Sequence, residues 1–125
     1  MNQNKFSLKS RLQSFRYALN GLRSLLKYEH NSRIHCIAAI AVLILGLLMK
    51  IDLVEWSLLI IVIGMVFITE LLNSSLESFA DSAKPEWDDS IGKAKDYSAA
   101  AVLIAAVVSF VVGVIIFVPK LLDLI

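Results

Sequence analysis

The sequence predicts an all-α integral membrane protein, and three observations carry that fold class. Of its 125 residues 58% are hydrophobic and 18% charged, more apolar surface than one small soluble core can bury. Three uncharged stretches recur along the chain: 16 residues (34–49), 14 residues (56–69) and 23 residues (97–119). The charge is lopsided behind a formal net value of +1, with seven Lys/Arg against one acid in residues 1–33 and three against seven in residues 70–96. This composition excludes a disordered chain, a secreted mini-scaffold and an ordinary cytosolic domain. The single cysteine, Cys36, excludes an intramolecular disulfide and any CxxC metal or redox site, and reads as a small buried hydrophobe.

The first element is an amphipathic surface helix over about 7–29. Leu8, Leu12, Phe15, Leu19, Leu22 and Leu26 recur at spacings of 4, 3, 4, 3 and 4, which is one helical face. Lys9, Arg16, Arg23 and Lys27 share a neighbouring flank, so the helix is expected to lie in the membrane interface with its cations near phosphates. No cleaved signal peptide is expected, because the first long apolar run starts only at residue 34.

Three spans follow, over about 34–50, 54–80 and 96–119, in a single domain of residues 1–125. A crossing helix needs about 20 residues. The third stretch meets this outright. The first reaches it because Arg33 and Lys50 can snorkel to the two interfaces. The second reaches it only by running past Glu70, which brings a carboxylate into the membrane or to its edge. Ten Lys/Arg fall on the side of the N-terminus and the 73–96 loop, against Lys50 and Lys120 on the other, so the positive-inside rule predicts a cytoplasmic N-terminus.

The chemistry concentrates in Thr69–Asp81. On a helix Glu70, Asn73, Glu77 and Asp81 form one polar stripe, and carboxylates at this depth need a cation. Hard oxygen ligands favour Mg²⁺ over zinc, with waters and substrate phosphates completing the shell, as in a nucleotide-dependent phosphoryl transferase. Glu29, just before the first span, is expected at the same depth as Glu77. His30 and His35 are read as interfacial hydrogen-bonding residues rather than metal ligands. Neither a G-x-x-x-x-G-K-[ST] loop nor a G-x-G-x-x-G loop occurs, so a nucleotide must be held by side chains, with Lys93 and Lys95 for phosphates and acids such as Glu86 for sugar or base.

Tyr17-x-x-x-Gly21-Leu22-Arg23, Glu29, the run Glu70-Leu71-Leu72-Asn73-Ser74-Ser75-Leu76-Glu77 with Asp81, and Ala94-Lys95-Asp96 followed by Ala99 to Ala105 resemble the prokaryotic diacylglycerol kinase family, which includes the undecaprenol kinases. The resemblance covers about residues 10–118. It implies a homotrimeric lipid kinase of the bacterial cytoplasmic membrane, with sites shared between protomers, that moves the γ-phosphate of Mg-ATP onto a lipid hydroxyl. By the same resemblance Glu70 is the general base, Asn73 orients it, and Glu29 and Glu77 bind Mg²⁺. Tyr17, Glu86, Trp87, Asp88, Lys95 and Asp96 contact the nucleotide, and Arg23 holds lipid or phosphate. Arg11 takes the place of a basic residue displaced by one, and Trp87-Asp88 replaces a more usual Tyr-His pair. The Asn31-x-x-Ile34-His35 run is closer to the undecaprenol-kinase branch, so undecaprenol ranks above diacylglycerol as acceptor.

The competing reading is a non-enzymatic membrane subunit whose carboxylates bind cations along a conduction path. Clustering of Glu29, Glu70, Glu77 and Lys95 at one interface favours chemistry instead. A single chain with one polar stripe cannot enclose that stripe, and the small residues Ser98, Ala99, Ala100, Ala101, Ala105, Ala106 and Gly113 offer a surface for close helix packing.

Overall fold

The computed structural model describes residues 7–83, 86 and 88–125. Four helices follow one another: α1 (Leu8–Tyr28), α2 (His30–Leu48), α3 (Leu53–Ala83) and α4 (Asp89–Leu122). The last three are long and apolar enough to cross a membrane. Their lipid-facing sides stay exposed, as expected where the solvent is hydrocarbon: Ile37, Ile44, Ile61, Leu103 and Phe110 all point outward.

The apolar stripe of α1 is open over its first half and meets the rest of the chain only toward its end. Exposure falls along it from 75% at Leu8 to 38% at Leu26, and only Leu25 is buried. A stripe left open in this way is completed by a membrane surface. The chain then turns a corner on one residue. Glu29 is extended (φ −96°, ψ 116°), its N–H still closing α1 on the Leu25 carbonyl at 2.9 Å while the next residue opens α2. Arg33 reaches back from α2 to two terminal carbonyls of α1, Leu26 at 3.0 Å and Lys27 at 2.6 Å. Those carbonyls lack helical partners, so the guanidinium both satisfies them and fixes the corner.

The opposite end is built with equal economy. Ile51 N–H bonds to the Gly46 carbonyl and Lys50 N–H to that of Leu47, with Lys50 left-handed at φ 50°. This is a Schellman ending in which Lys takes the place usually given to Gly. Asp52 starts α3 at once. Its Oδ1 accepts from the N–H groups of Val54 and Glu55, and Glu55 returns a carboxylate oxygen to the Asp52 N–H at 2.8 Å, a reciprocal capping box. Glu55 also pairs with Lys120 of α4 at 3.1 Å. Above this turn Ile51, Leu59, Ile116 and Phe117 form the buried core, packed by Val42, Leu43, Trp56 and Val112.

Helices α3 and α4 run antiparallel as the principal packed pair. At 1.5 Å per residue, α3 is about 46 Å long against a hydrocarbon core of about 30 Å. An ion pair such as Glu55–Lys120 belongs outside hydrocarbon, and taking it as the far interface sets the scale. Counted from Glu55, Glu70 stands about 23 Å along the helix and Glu77 about 33 Å, so Glu70 lies within the hydrocarbon edge and Glu77 beyond it.

Candidate active site

Glu70 is the centre of the polar end. It is 3% exposed, in a helix otherwise buried through Leu59, Val62, Val66 and Ala80. Its Oε2 accepts from the hydroxyl of Ser32, itself wholly buried, at 3.3 Å. Its Oε1 lies 3.3 Å from His35 Nε2. The ring N–H is not aligned on that oxygen, so Oε1 is buried without a hydrogen-bond donor among the described residues. Ser32 and His35 are three apart on α2 and therefore share a face.

The rest of the polar stripe turns toward α4. Ser98 donates to Asn73 Oδ1 at 2.7 Å, and Asn73 Nδ2 donates to Glu77 Oε1 at 3.2 Å. The chain Ser98–Asn73–Glu77 thus fixes the amide and aims its NH₂ group at a carboxylate. The amide expected to orient Glu70 is bonded to Glu77 instead, and it is α2 that meets Glu70. One turn further, Lys95 Nζ reaches Asp81 Oδ1 at 2.8 Å. The cation expected on nucleotide phosphates is held here by the last carboxylate of the stripe.

Glu29 belongs to a second feature. A groove of about 400 Å³ separates α1 from α3, and Gly21, Ser24, Tyr28, Glu29, Ser74, Ser75 and Ser78 line it. Glu29 occupies the N-cap position of α2 without a capping bond from its side chain, so its carboxylate is not committed to the helix end. Ser74 Oγ is buried with no partner among the described residues. Tyr17 stands one turn beyond Gly21 on the same side of α1 and is exposed. Arg11 and Arg23 are exposed on α1, and Glu86 and Asp96 are exposed near the start of α4. Asp88, expected at the nucleotide, is the N-cap of α4, with Oδ1 accepting from Ser90 N–H at 2.9 Å and Ile91 N–H at 3.4 Å. Trp87 lies outside the described residues.

The donors expected for Mg²⁺, Glu29 and Glu77, are hard carboxylates. Among the described residues no three His, Cys, Asp or Glu side chains gather as a cage. The residues present suit a cation that takes one or two carboxylates and completes its shell with phosphates and water, and do not suit zinc or calcium, which need more protein ligands.

An apolar groove of about 440 Å³ descends from this end between α2, α3 and α4, from His35 past Val42, Val66 and Phe110 to Phe117. His35, which approaches Glu70, is a polar residue of its lining.

Ser32, His35 as a partner of Glu70, and Ser98 in a polar role were not singled out by sequence reasoning. The one signal available was a hydroxyl and an imidazole at i and i+3 in an otherwise apolar span.

Comparison with known proteins gives matches over most of the chain. A family model described as prokaryotic diacylglycerol kinase matches residues 16–117. The chain is 38% identical over 109 residues to the undecaprenol kinase of Bacillus subtilis, covering 87% of this chain and 89% of that protein. It is 36% identical over 114 residues to a diacylglycerol kinase of Synechocystis, covering 90% and 65%. Against the diacylglycerol kinase of Escherichia coli K12 it is 33% identical over 95 residues, covering 76% and 78%.

Proposed function

The chain belongs to the prokaryotic diacylglycerol kinase family, and from that premise we propose that this lipid kinase transfers the γ-phosphate of ATP to the hydroxyl of a membrane lipid, with Glu70 as general base. Undecaprenol ranks ahead of diacylglycerol as acceptor, a ranking supported by the 38% identity to an undecaprenol kinase. The observation that carries the reading is the buried Glu70 carboxylate beside His35, a residue that lines an apolar groove, with one oxygen anchored by Ser32 and the other without an aligned donor.

In the reaction the lipid O–H bond breaks as Glu70 takes the proton, and the hydroxyl oxygen forms a bond to the γ-phosphorus. The bond from that phosphorus to the β,γ-bridging oxygen breaks, and its electron pair leaves on ADP. Burial keeps water from competing for the phosphoryl group. Glu29 and Glu77 are the proposed Mg²⁺ ligands, and the ion when bound supplies neutralisation of phosphate charge. Asn73, held by Ser98, keeps Glu77 in place. Tyr17, Glu86, Trp87, Asp88, Lys95 and Asp96 are proposed to contact the nucleotide, and Arg11 and Arg23 to meet lipid headgroup or phosphate from α1. The site faces the cytoplasm, and a neighbouring subunit of a homotrimer covers the exposed side of the stripe.

The test is phosphoryl transfer by purified protein in mixed micelles, with Mg-ATP and either undecaprenol or diacylglycerol. Transfer that disappears in Glu70→Gln and on EDTA addition is the expected result. Folded protein that phosphorylates neither lipid, or a Glu70→Gln variant with wild-type turnover, overturns it.

A further inference from the structure

A glutamate side chain is a poor positioning device by itself. Its terminal torsion is broad, so a carboxylate tethered only through its own chain rotates between orientations. A base must nevertheless meet its proton within a few tenths of an ångström, and a displacement near 1 Å costs up to about 100-fold in rate. What limits the rotation of Glu70 is therefore a functional question, and its neighbours on α2 answer it unequally. Ser32 Oγ donates to Oε2, and Ser32 has no exposed surface. His35 stands 3.3 Å from Oε1 without an aligned bond and also lines the apolar groove. One oxygen is occupied and the other is flanked. Residue 33 between them is engaged elsewhere, on the carbonyls that end α1.

We propose that Ser32 and His35 are positioning residues of the phosphoryl transfer: Ser32 holds Oε2 and so assigns the proton-accepting role to Oε1, and His35 fixes the plane of the carboxylate by flanking Oε1. The inference rests on the reading of Glu70 as base. The proton passes from the lipid hydroxyl to Oε1, the hydroxyl electron pair goes into the new O–P bond, and His35 neither gains nor loses a proton in the step. The imidazole acts by its bulk and reach beside Oε1, a role that a glutamine side chain can fill.

The experiment compares kcat and KM, for ATP and for lipid, among wild type, Ser32→Ala, His35→Ala and His35→Gln. Full-length protein is assayed in micelles on whichever acceptor wild type turns over. His35 is partly exposed, so its variants keep the fold, and matching gel-filtration elution and helical circular dichroism check this. His35→Ala is expected to lose about 10-fold or more in kcat, with KM for ATP within about twofold of wild type. His35→Gln is expected to recover most of that loss, and Ser32→Ala to fall between the two. Wild-type kcat in His35→Ala overturns the proposal, as does a change confined to KM. A His35→Gln variant as slow as His35→Ala also overturns it, because the imidazole would then be needed for a proton rather than for position. Failure of the base reading looks different: Glu70→Gln stays active whatever the α2 variants do.

Discussion

Replacing Glu70 by glutamine should abolish transfer and at the same time stabilise the protein. The carboxylate is 3% exposed within the hydrocarbon edge, and in its ionised form such a group loses several kcal/mol of hydration even after relaxation. The bond from its one hydroxyl donor, Ser32, is long for O–H···O at 3.3 Å and returns at most about 1.5 kcal/mol. The imidazole at 3.3 Å offsets some of the remainder without an aligned bond, which leaves about 1–2 kcal/mol uncompensated. Glutamine keeps a carbonyl oxygen for Ser32, offers an NH₂ group to His35 and carries no charge. Glu70→Gln is therefore expected to raise the free energy of unfolding by about 1–2 kcal/mol, the trade of stability for activity common at working sites. The assay is equilibrium unfolding in mixed micelles against rising dodecyl sulfate, followed by circular dichroism and tryptophan fluorescence. Glu70→Ala serves as control and should be less stable than Glu70→Gln, because it removes the acceptor and leaves a cavity. A glutamine variant less stable than wild type refutes the reasoning, since the carboxylate would then be a net contributor to the fold.

Two further outcomes follow from other contacts. Ser98→Ala removes the 2.7 Å bond that holds Asn73, so Asn73 no longer aims at Glu77. The loss of one such bond, about 0.5–1.5 kcal/mol, should appear as a roughly 2–13-fold higher KM for Mg-ATP with a smaller change in kcat, checked by steady-state kinetics. At the far end, a Cβ on Gly46 would sit 2.9 Å from the Trp56 ring and 3.0 Å from Ile51 Cδ1. Gly46→Val is expected to cost about 1–3 kcal/mol of stability by overpacking, and Trp56→Phe in the same chain should recover part of it in a double-mutant unfolding measurement.

The helices were legible because each carries its own pattern. Leu8 to Leu26 repeat at helical spacing, and the uncharged runs have membrane length. The stripe of Glu70, Asn73, Glu77 and Asp81 was equally local, since one helix determines which side chains share a face. Its partners were not. Ser32 meets Glu70 across 38 positions and Ser98 meets Asn73 across 25, and no periodicity within one helix reports how its neighbour is rotated. Ser98 read as a small packing residue because its size and its hydroxyl are both compatible with that place. Asp88 is a different case. An Asp immediately before a helix start is an N-cap signal, and the same carboxylate is also compatible with a nucleotide contact.

The slot below His35 bears on how such a protein distinguishes one lipid from another. Its lining and the surrounding bilayer are alike in polarity, so a hydrocarbon tail that moves from one to the other sheds no water, and the usual reward of about 25 cal/mol per Å² of burial does not apply. Tails already compete as solutes in a shared solvent. Length and branching count only through fit, so under the proposed function the choice between a lone prenol hydroxyl and a glycerol backbone falls to polar groups beside the slot, such as His35.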